Sequence, residues 1–135
     1  MNNSLPASNW LRRVKREAEI VKRNIQKTID LIAQAAENKQ AVDFKVLDVR
    51  KISSLVDYLV IMSGESIPQI RAIEKEIDSH LHQAGQKGYK WEGKSESGWV
   101  ILDLGDMVIH VMGQTERDYY QLEDLWGKEA VVYHW

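Results

Sequence analysis

Trp99-Val100-Ile101-Leu102-Asp103-Leu104-Gly105-Asp106-Met107-Val108-Ile109-His110-Val111-Met112 is the stretch that sets the fold class. Two β-rich runs flank Gly105-Asp106, and a glycine in the first place of a two-residue loop marks a type II′ hairpin turn. The spacing predicts strands over 99–104 and 107–112. Side chains alternate along a strand, so Val100, Leu102 and Leu104 share one face while Trp99, Ile101 and Asp103 share the other. Unless helices cover both faces, one of these apolar sets looks at solvent or at a partner.

The sequence on either side adds helices and further strands. Residues 58–62 form an apolar, β-rich run that reads as a central strand. After the Ser63-Gly64-Glu65 turn, Ser66 is an N-cap with Gln69 as its capping-box partner, and Pro68 is tolerated in the first turn. Ile67, Ile70, Ile73, Ile77 and Leu81 then give a helical stripe, ended by Gly85 as a C′ residue. Residues 44–49 alternate as a strand, residues 87–92 read as a third strand, and residues 93–98 as a polar loop. A helix is expected over 115–126, stopped by Gly127, with an edge strand near 131–133. Upstream, past a loose leader containing Pro6, the residues Leu11, Val14, Ala18, Val21, Ile25, Thr28 and Ile32 step by three and four along one helical stripe. The fold class is therefore α+β, a mixed sheet of roughly five strands covered by helices and preceded by a basic N-terminal helix.

Composition narrows the function classes. The chain has 135 residues, suited to one compact domain, and no cysteine, which excludes a disulfide framework, a thiolate zinc site and a cysteine nucleophile. Its apolar runs, such as residues 59–62, are far shorter than the ~20 residues a membrane span needs. The N-terminus carries charge without the apolar stretch of a secretory signal. Charge is uneven: Met1 to Lys27 holds seven Lys/Arg and two Glu, and the remainder holds eleven Lys/Arg and eighteen Asp/Glu. A basic arm thus precedes an acidic body. The body does not suit broad contact with nucleic-acid phosphates, because each contact must neutralise a phosphate with Lys or Arg. It suits a basic protein partner, whereas the arm suits RNA.

The residues that could carry chemistry are few. Asp103 and Asp106 flank the hairpin tip, with His110 further along the second strand, and two carboxylates with an imidazole can hold a divalent ion or share acid–base work. Asp106, however, is also a preferred turn residue. Gly64-Glu65-Ser66 opens a helix but lacks the Gly-rich run and the Lys of a phosphate loop. No sharp turn presents a serine nucleophile beside a His and a carboxylate. Trp91, Trp99, Tyr119, Tyr120, Trp126, Tyr133 and Trp135 crowd the last third of the chain, as a core or an interface would require.

Several ordered motifs resemble the ribosomal silencing factor family, also called Iojap-like. They are Asp48-Val49, Ser53-Ser54-Leu55-Val56-Asp57-Tyr58, Val60-Ile61, Ser63-Gly64, Gln69, Arg71-Ala72, Glu92-Gly93, Trp99-Val100, Asp103-Leu104-Gly105-Asp106, Val108-Ile109-His110-Val111 and Tyr120-Gln121-Leu122-Glu123-Asp124-Leu125-Trp126. The resemblance runs from about Ile25 to Trp126. It divides the chain into a basic, partly helical extension over 1–24, the family domain over 25–127 and a tail over 128–135. It implies a nucleotidyltransferase-like fold without the catalytic carboxylate set, and no cofactor or metal. It further implies binding to the large ribosomal subunit through its fourteenth protein, at the face where the small subunit docks, so that joining is blocked and translation repressed when nutrients are short. The residues implied at that partner surface are Trp99, Leu104 and Tyr120, with Asp103 and Asp106 supporting them. Family members also occur as homodimers. The chain departs from the family pattern at Glu65, where a small polar residue is usual, and at Pro68. Two other readings compete: a divergent nucleotidyltransferase-like enzyme using Asp103, Asp106 and Asp48 with a divalent metal, and a scaffold whose basic arm binds rRNA. The expected location is cytoplasmic, with an organellar stroma or matrix as the alternative.

Overall fold

The structure, a computed structural model, describes residues 7–126 and 130–134. The leader through Pro6 and the stop at Gly127 lie outside the described residues, as do the side chains of Ala18 and Val21. Helix α1 (Ala7–Asn38) runs unbroken for 32 residues, and its sequence has neither Gly nor Pro to interrupt it. The turn after it leads into β1 (Val42–Asp48) and β2 (Tyr58–Gly64). Helix α2 (Ile67–Gln83) starts at Ser66, whose side chain accepts from the Gln69 amide at 3.2 Å. Gln69 closes the cap on the Glu65 amide at 2.6 Å, one residue before the N-cap, and its Nε2 donates to the carbonyls of Lys39 and Gln40. The capping residue therefore also ties the end of α1 to the start of α2. At the far end the Gln86 amide bonds the Leu81 carbonyl at 3.0 Å around Gly85, which closes the helix as the sequence requires.

The chain then forms β3 (Lys90–Lys94), a 3₁₀ turn (Ser95–Ser97), β4 (Trp99–Asp103) and β5 (Met107–Gly113). After α3 (Gln114–Tyr120) and a second 3₁₀ turn (Leu122–Trp126), β6 (Val131–His134) returns to the sheet beside β1. The six strands lie in the order β3-β4-β5-β2-β1-β6. Only β2 and β5 are parallel; the other pairs are antiparallel, so the sheet is mixed.

Alternation along the strands gives the sheet two different faces. Val46, Val60, Met62, Val100, Leu102, Ile109 and Val111 pack under Ile29, Ile32 and Ala36 of α1 and Ile70, Ile73, Ile77 and Leu81 of α2. The opposite face carries Leu47, Val49, Leu59, Ile61 and Met112. Among the described residues no long helix covers it; Ile52, Val56, Leu122 and Trp126 do, from loops and the C-terminal segment.

One helix differs from its sequence reading. The span expected over 115–126 breaks at Gln121, which adopts a left-handed φ of 47°. The cause is Arg117, buried at 5 % exposure. Its Nε donates to Glu123 at 2.7 Å, and its Nη1 donates to the Asp43 carbonyl at 2.7 Å and to Ser63 Oγ at 3.0 Å. Its Nη2 completes an ion pair with Glu123 at 2.6 Å. In a continuous helix, residues six apart point to different sides, so Glu123 reaches Arg117 only because the chain turns back at Gln121. The same turn drops Leu122 and Trp126 onto the sheet. The Asp43 carbonyl is available because β1 carries an irregularity between Val42 and Lys45, with Asp43 at a φ of 52°.

Arg117→Met should therefore lower unfolding free energy by about 3 kcal/mol, since a half-buried carboxylate loses its partner. Urea unfolding measures the loss. Near-ultraviolet circular dichroism should weaken with it, because α3 holds an aromatic ring against the sheet.

Candidate partner-docking face

The β4–β5 half of the second face is where apolar side chains remain partly open. The hairpin register sets Trp99 opposite Met112, Ile101 opposite His110 and Asp103 opposite Val108. Trp99, Ile101 and Val108 are each half-buried, and β3 borders them with Lys94 opposite Trp99, Glu92 opposite Ile101 and Lys90 opposite Asp103. From the other side α3 brings in Tyr120. Its ring lies 5.0 Å from that of Trp99, tilted by 47°, and Tyr119 meets Tyr120 edge-on at 5.0 Å. Stacked and edge-on rings of this kind hold one another in place. The result is a pre-ordered apolar strip with a charged rim.

His110 anchors the strip from below. Trp99 Nε1 donates to His110 Nδ1 at 3.0 Å, which leaves the ring proton on Nε2 and requires a neutral imidazole. Burial favours the same state and pushes the His110 pKa down to about 4. Protonation would turn Nδ1 from acceptor to donor and break the bond that orients Trp99.

Of the residues the sequence pointed to, Trp99 and Tyr120 come together, and Leu104 does not join them. Leu104 belongs to the face of Val100 and Leu102 and packs toward α1. It lines a crevice of about 250 Å³ with Asn24, Ile25, Thr28, Gln86, Asp106 and Met107. A partner that touches Trp99, Tyr120 and Leu104 together must wrap the hairpin tip.

Asp103 and Asp106 shape that tip. Asp103 Oδ1 accepts from the Gly105 amide at 2.8 Å, and the Leu104 amide bonds the Met107 carbonyl at 2.9 Å, closing the two-residue loop. Gly105 has a φ of 91°, which needs glycine. The Asp106 carbonyl accepts from the amides of Asp57 and Tyr58 at 2.9 and 3.1 Å, tying the tip to the start of β2. Asp48, the third carboxylate of the enzymatic reading, is held by Arg50 Nη2 at 2.7 Å and Nε at 3.0 Å. The Arg50 guanidinium keeps its carboxyl below the usual range. Among the described residues no three carboxylate or imidazole groups converge where one metal ion could sit. The loop at Glu65 and Pro68 keeps its cap, so those departures leave the turn intact.

Reading from the sequence missed three contributors. The pairing of Ile101 with His110 follows arithmetically once the loop is placed at Gly105-Asp106, so it was available from the turn. The Trp99–His110 bond needed ring positions as well. Nothing in the sequence marks Arg117, which sits in a short polar helix among other charges.

The buried neutral His110 predicts a pH dependence. Its pKa is lower folded than unfolded, so between about 6.5 and about 4 the unfolded chain binds the extra proton. Stability should be complete above that window and fall by roughly 3 kcal/mol as pH drops through it. His110→Gln should abolish this part of the pH dependence in urea-unfolding midpoints; an unchanged profile would show that His110 does not carry it.

Comparison with known proteins agrees with this architecture. The family described as "Ribosomal silencing factor during starvation" matches residues 22–134. "Ribosomal silencing factor RsfS" of Bacillus subtilis is 46 % identical over 103 residues, covering 76 % of this chain and 87 % of that protein. "Mitochondrial assembly of ribosomal large subunit protein 1" of Mus musculus is 34 % identical over 101 residues, covering 73 % of this chain and 44 % of that longer protein. A crystal structure from Chromobacterium violaceum superposes with a TM-score of 0.72 at 36 % identity, covering 76 % of this chain and 86 % of the other. One from Bacillus halodurans gives 0.68 at 35 %, covering 78 % and 97 %. With a matching fold, matching motifs and relatives at this identity over most of its length, the chain belongs to the ribosomal silencing factor family.

Proposed function

We propose that this chain is a ribosome-associated translation silencer that acts by occupying a surface. It docks on the large ribosomal subunit through the subunit's fourteenth protein and obstructs joining of the small subunit. The observation that carries the reading is the strip of Trp99, Ile101, Val108 and Tyr120, apolar, half-open and held in one arrangement by His110 and α3. Pre-ordered aromatic anchors suit protein contact, because little side-chain freedom is left to lose on binding. The acidic groups at the hairpin tip suit a basic ribosomal protein. Steric silencing needs no bond made or broken, which accords with carboxylates that are engaged in turns and ion pairs. The family name and the regulatory names of the relatives support the same role. A cytoplasmic setting fits such a role, and among the described residues no helix is long and apolar enough to cross a membrane.

Co-sedimentation with isolated large subunits tests this. Trp99→Ala and Tyr120→Ala should each weaken binding by at least ~2 kcal/mol, roughly thirtyfold. Because their rings touch at 5.0 Å, the double variant should lose clearly less than the sum. Leu104→Ala, just past β4 and on the opposite side of the sheet, should add to either. Full binding by all three single variants would overturn the assignment.

A further inference from the structure

Helix α1 outruns the body it belongs to. Its seated part begins at the hairpin tip, where Asn24, Ile25 and Thr28 line one crevice with Leu104, Asp106 and Met107. At the other end Asn38 donates to Glu76 of α2 at 2.9 Å, so residues 24–38 span the body. Residues 7–23 carry the same unbroken helix past the tip, for about 25 Å at about 1.5 Å per residue. Every described side chain of this arm, from Asn9 to Glu17, is exposed.

Between Asn9 and Glu17 the side chains are sorted by charge. At about 100° per residue, Lys15, Arg12, Arg16 and Arg13 follow one another around one side of the helix. Trp10, Val14 and Leu11 take the other side. Arg12 and Arg16 stand one turn apart at the centre of the cationic side. Arg12 donates to the neutral Asn9 side chain at 2.7 Å, which leaves its charge uncompensated. Lys15 and Arg16 have no carboxylate partner among the described residues. Arg13 pairs with Glu17 at 3.4 Å, and both side chains of that pair are largely in solvent. From Thr28 onward the chain holds eleven Lys/Arg and eighteen Asp/Glu, so positive charge is concentrated on the arm.

We propose that the Arg12, Arg13, Lys15 and Arg16 side of the arm is an RNA-binding surface that grips the phosphodiester backbone without selecting a base sequence. Three of the four cations are arginines, whose planar forks match phosphate oxygens. Helix geometry keeps the body's carboxylates out of the contact. Arg16 lies eight residues before Asn24, about 12 Å beyond the tip along the axis. That exceeds the ~8 Å over which physiological salt screens a charge, so an RNA strand on the arm is not repelled by the acidic body. A membrane would take the opposite side, burying Trp10, Leu11 and Val14 and leaving the central pair Arg12 and Arg16 turned to water. The residues before 22 lie outside the family match, so this surface is a property of the chain's own extension. One consequence rests on the docking reading above. Because the arm leaves the body at the hairpin tip, a subunit held through that tip receives the arm on its neighbouring RNA. RNA binding itself does not rest on that reading, and it is measured without ribosomes.

The test is fluorescence anisotropy of the full chain with a labelled oligouridylate and with an RNA duplex of the same length. Both should bind. For the oligouridylate, the logarithm of affinity should fall with that of salt at a slope of about −3, as expected when four phosphates are neutralised. Arg12→Ala with Arg16→Ala should weaken binding at least about tenfold at low salt and halve the slope to about −1.5. Arg12→Lys with Arg16→Lys keeps the charge and should keep the slope. Val14→Ser, on the apolar side, should leave RNA affinity unchanged. All three positions are exposed, so thermal unfolding should not move. With isolated large subunits, the double alanine variant should flatten the salt dependence of co-sedimentation, whereas Trp99→Ala should weaken binding at an unchanged slope. Failure of both probes to bind at about 50 mM salt overturns the proposal, as does a double alanine variant that binds them like wild type. So does an arm that prefers phosphatidylserine vesicles to both RNAs and loses them in Val14→Ser, which would make a membrane the occupant.

Discussion

The arrangement of the second sheet face depends on the buried guanidinium of Arg117. A planar group with five donors can hold a carboxylate, a backbone carbonyl and a hydroxyl at once, and here it holds Glu123, Asp43 and Ser63. Those three groups come from the C-terminal turn, the irregularity in β1 and the end of β2. Burying a cation is costly, so the arrangement persists only with every partner in place. Because α3 carries Arg117 at its inner side, it has one seat on the sheet, and Tyr120 has one place beside Trp99. The order of the Trp99–Tyr120 pair thus derives from an ion pair elsewhere on α3.

The two faces of the sheet show why a small domain of this kind leaves a surface to use. Two helices seal one face completely, with Val60, Met62, Val100, Leu102 and Ile109 all shielded from solvent. The other face has only loops and a short segment to cover it, and they reach as far as β2 and β1. Over much of β4 and β5 the cover thins. There Trp99, Ile101 and Val108 stay half-open beside Tyr120, and a neutral histidine with an indole bonded to it forms the floor. Membership of the ribosomal silencing factor family sets that half-open strip in a ribosome-associated context.

The hairpin, both caps of α2 and the order of the elements were legible in the sequence because each depends on neighbours a few residues away. Gly105 must supply a positive φ, Ser66 must cap, and Gly85 must end α2. The departures arose where distant residues decide. The last helix broke at Gln121 because an ion pair six residues apart outweighed the local helical preference. The third strand formed over Lys90–Lys94, not 87–92, because its register is set by pairing with β4 across to Trp99.

By itself the sequence determined an α+β domain with a basic leading helix, an acidic body and a tight hairpin. These follow from composition, periodicity and turn chemistry, which act locally. Only the tertiary structure decided that Trp99 and Tyr120 touch, and that the face Leu104 shares with Val100 and Leu102 is the one the helices cover. Which face a side chain occupies was implicit in the alternation. What covers that face depends on where helices and segments far along the chain come to rest, and that is settled by packing and by a buried charge.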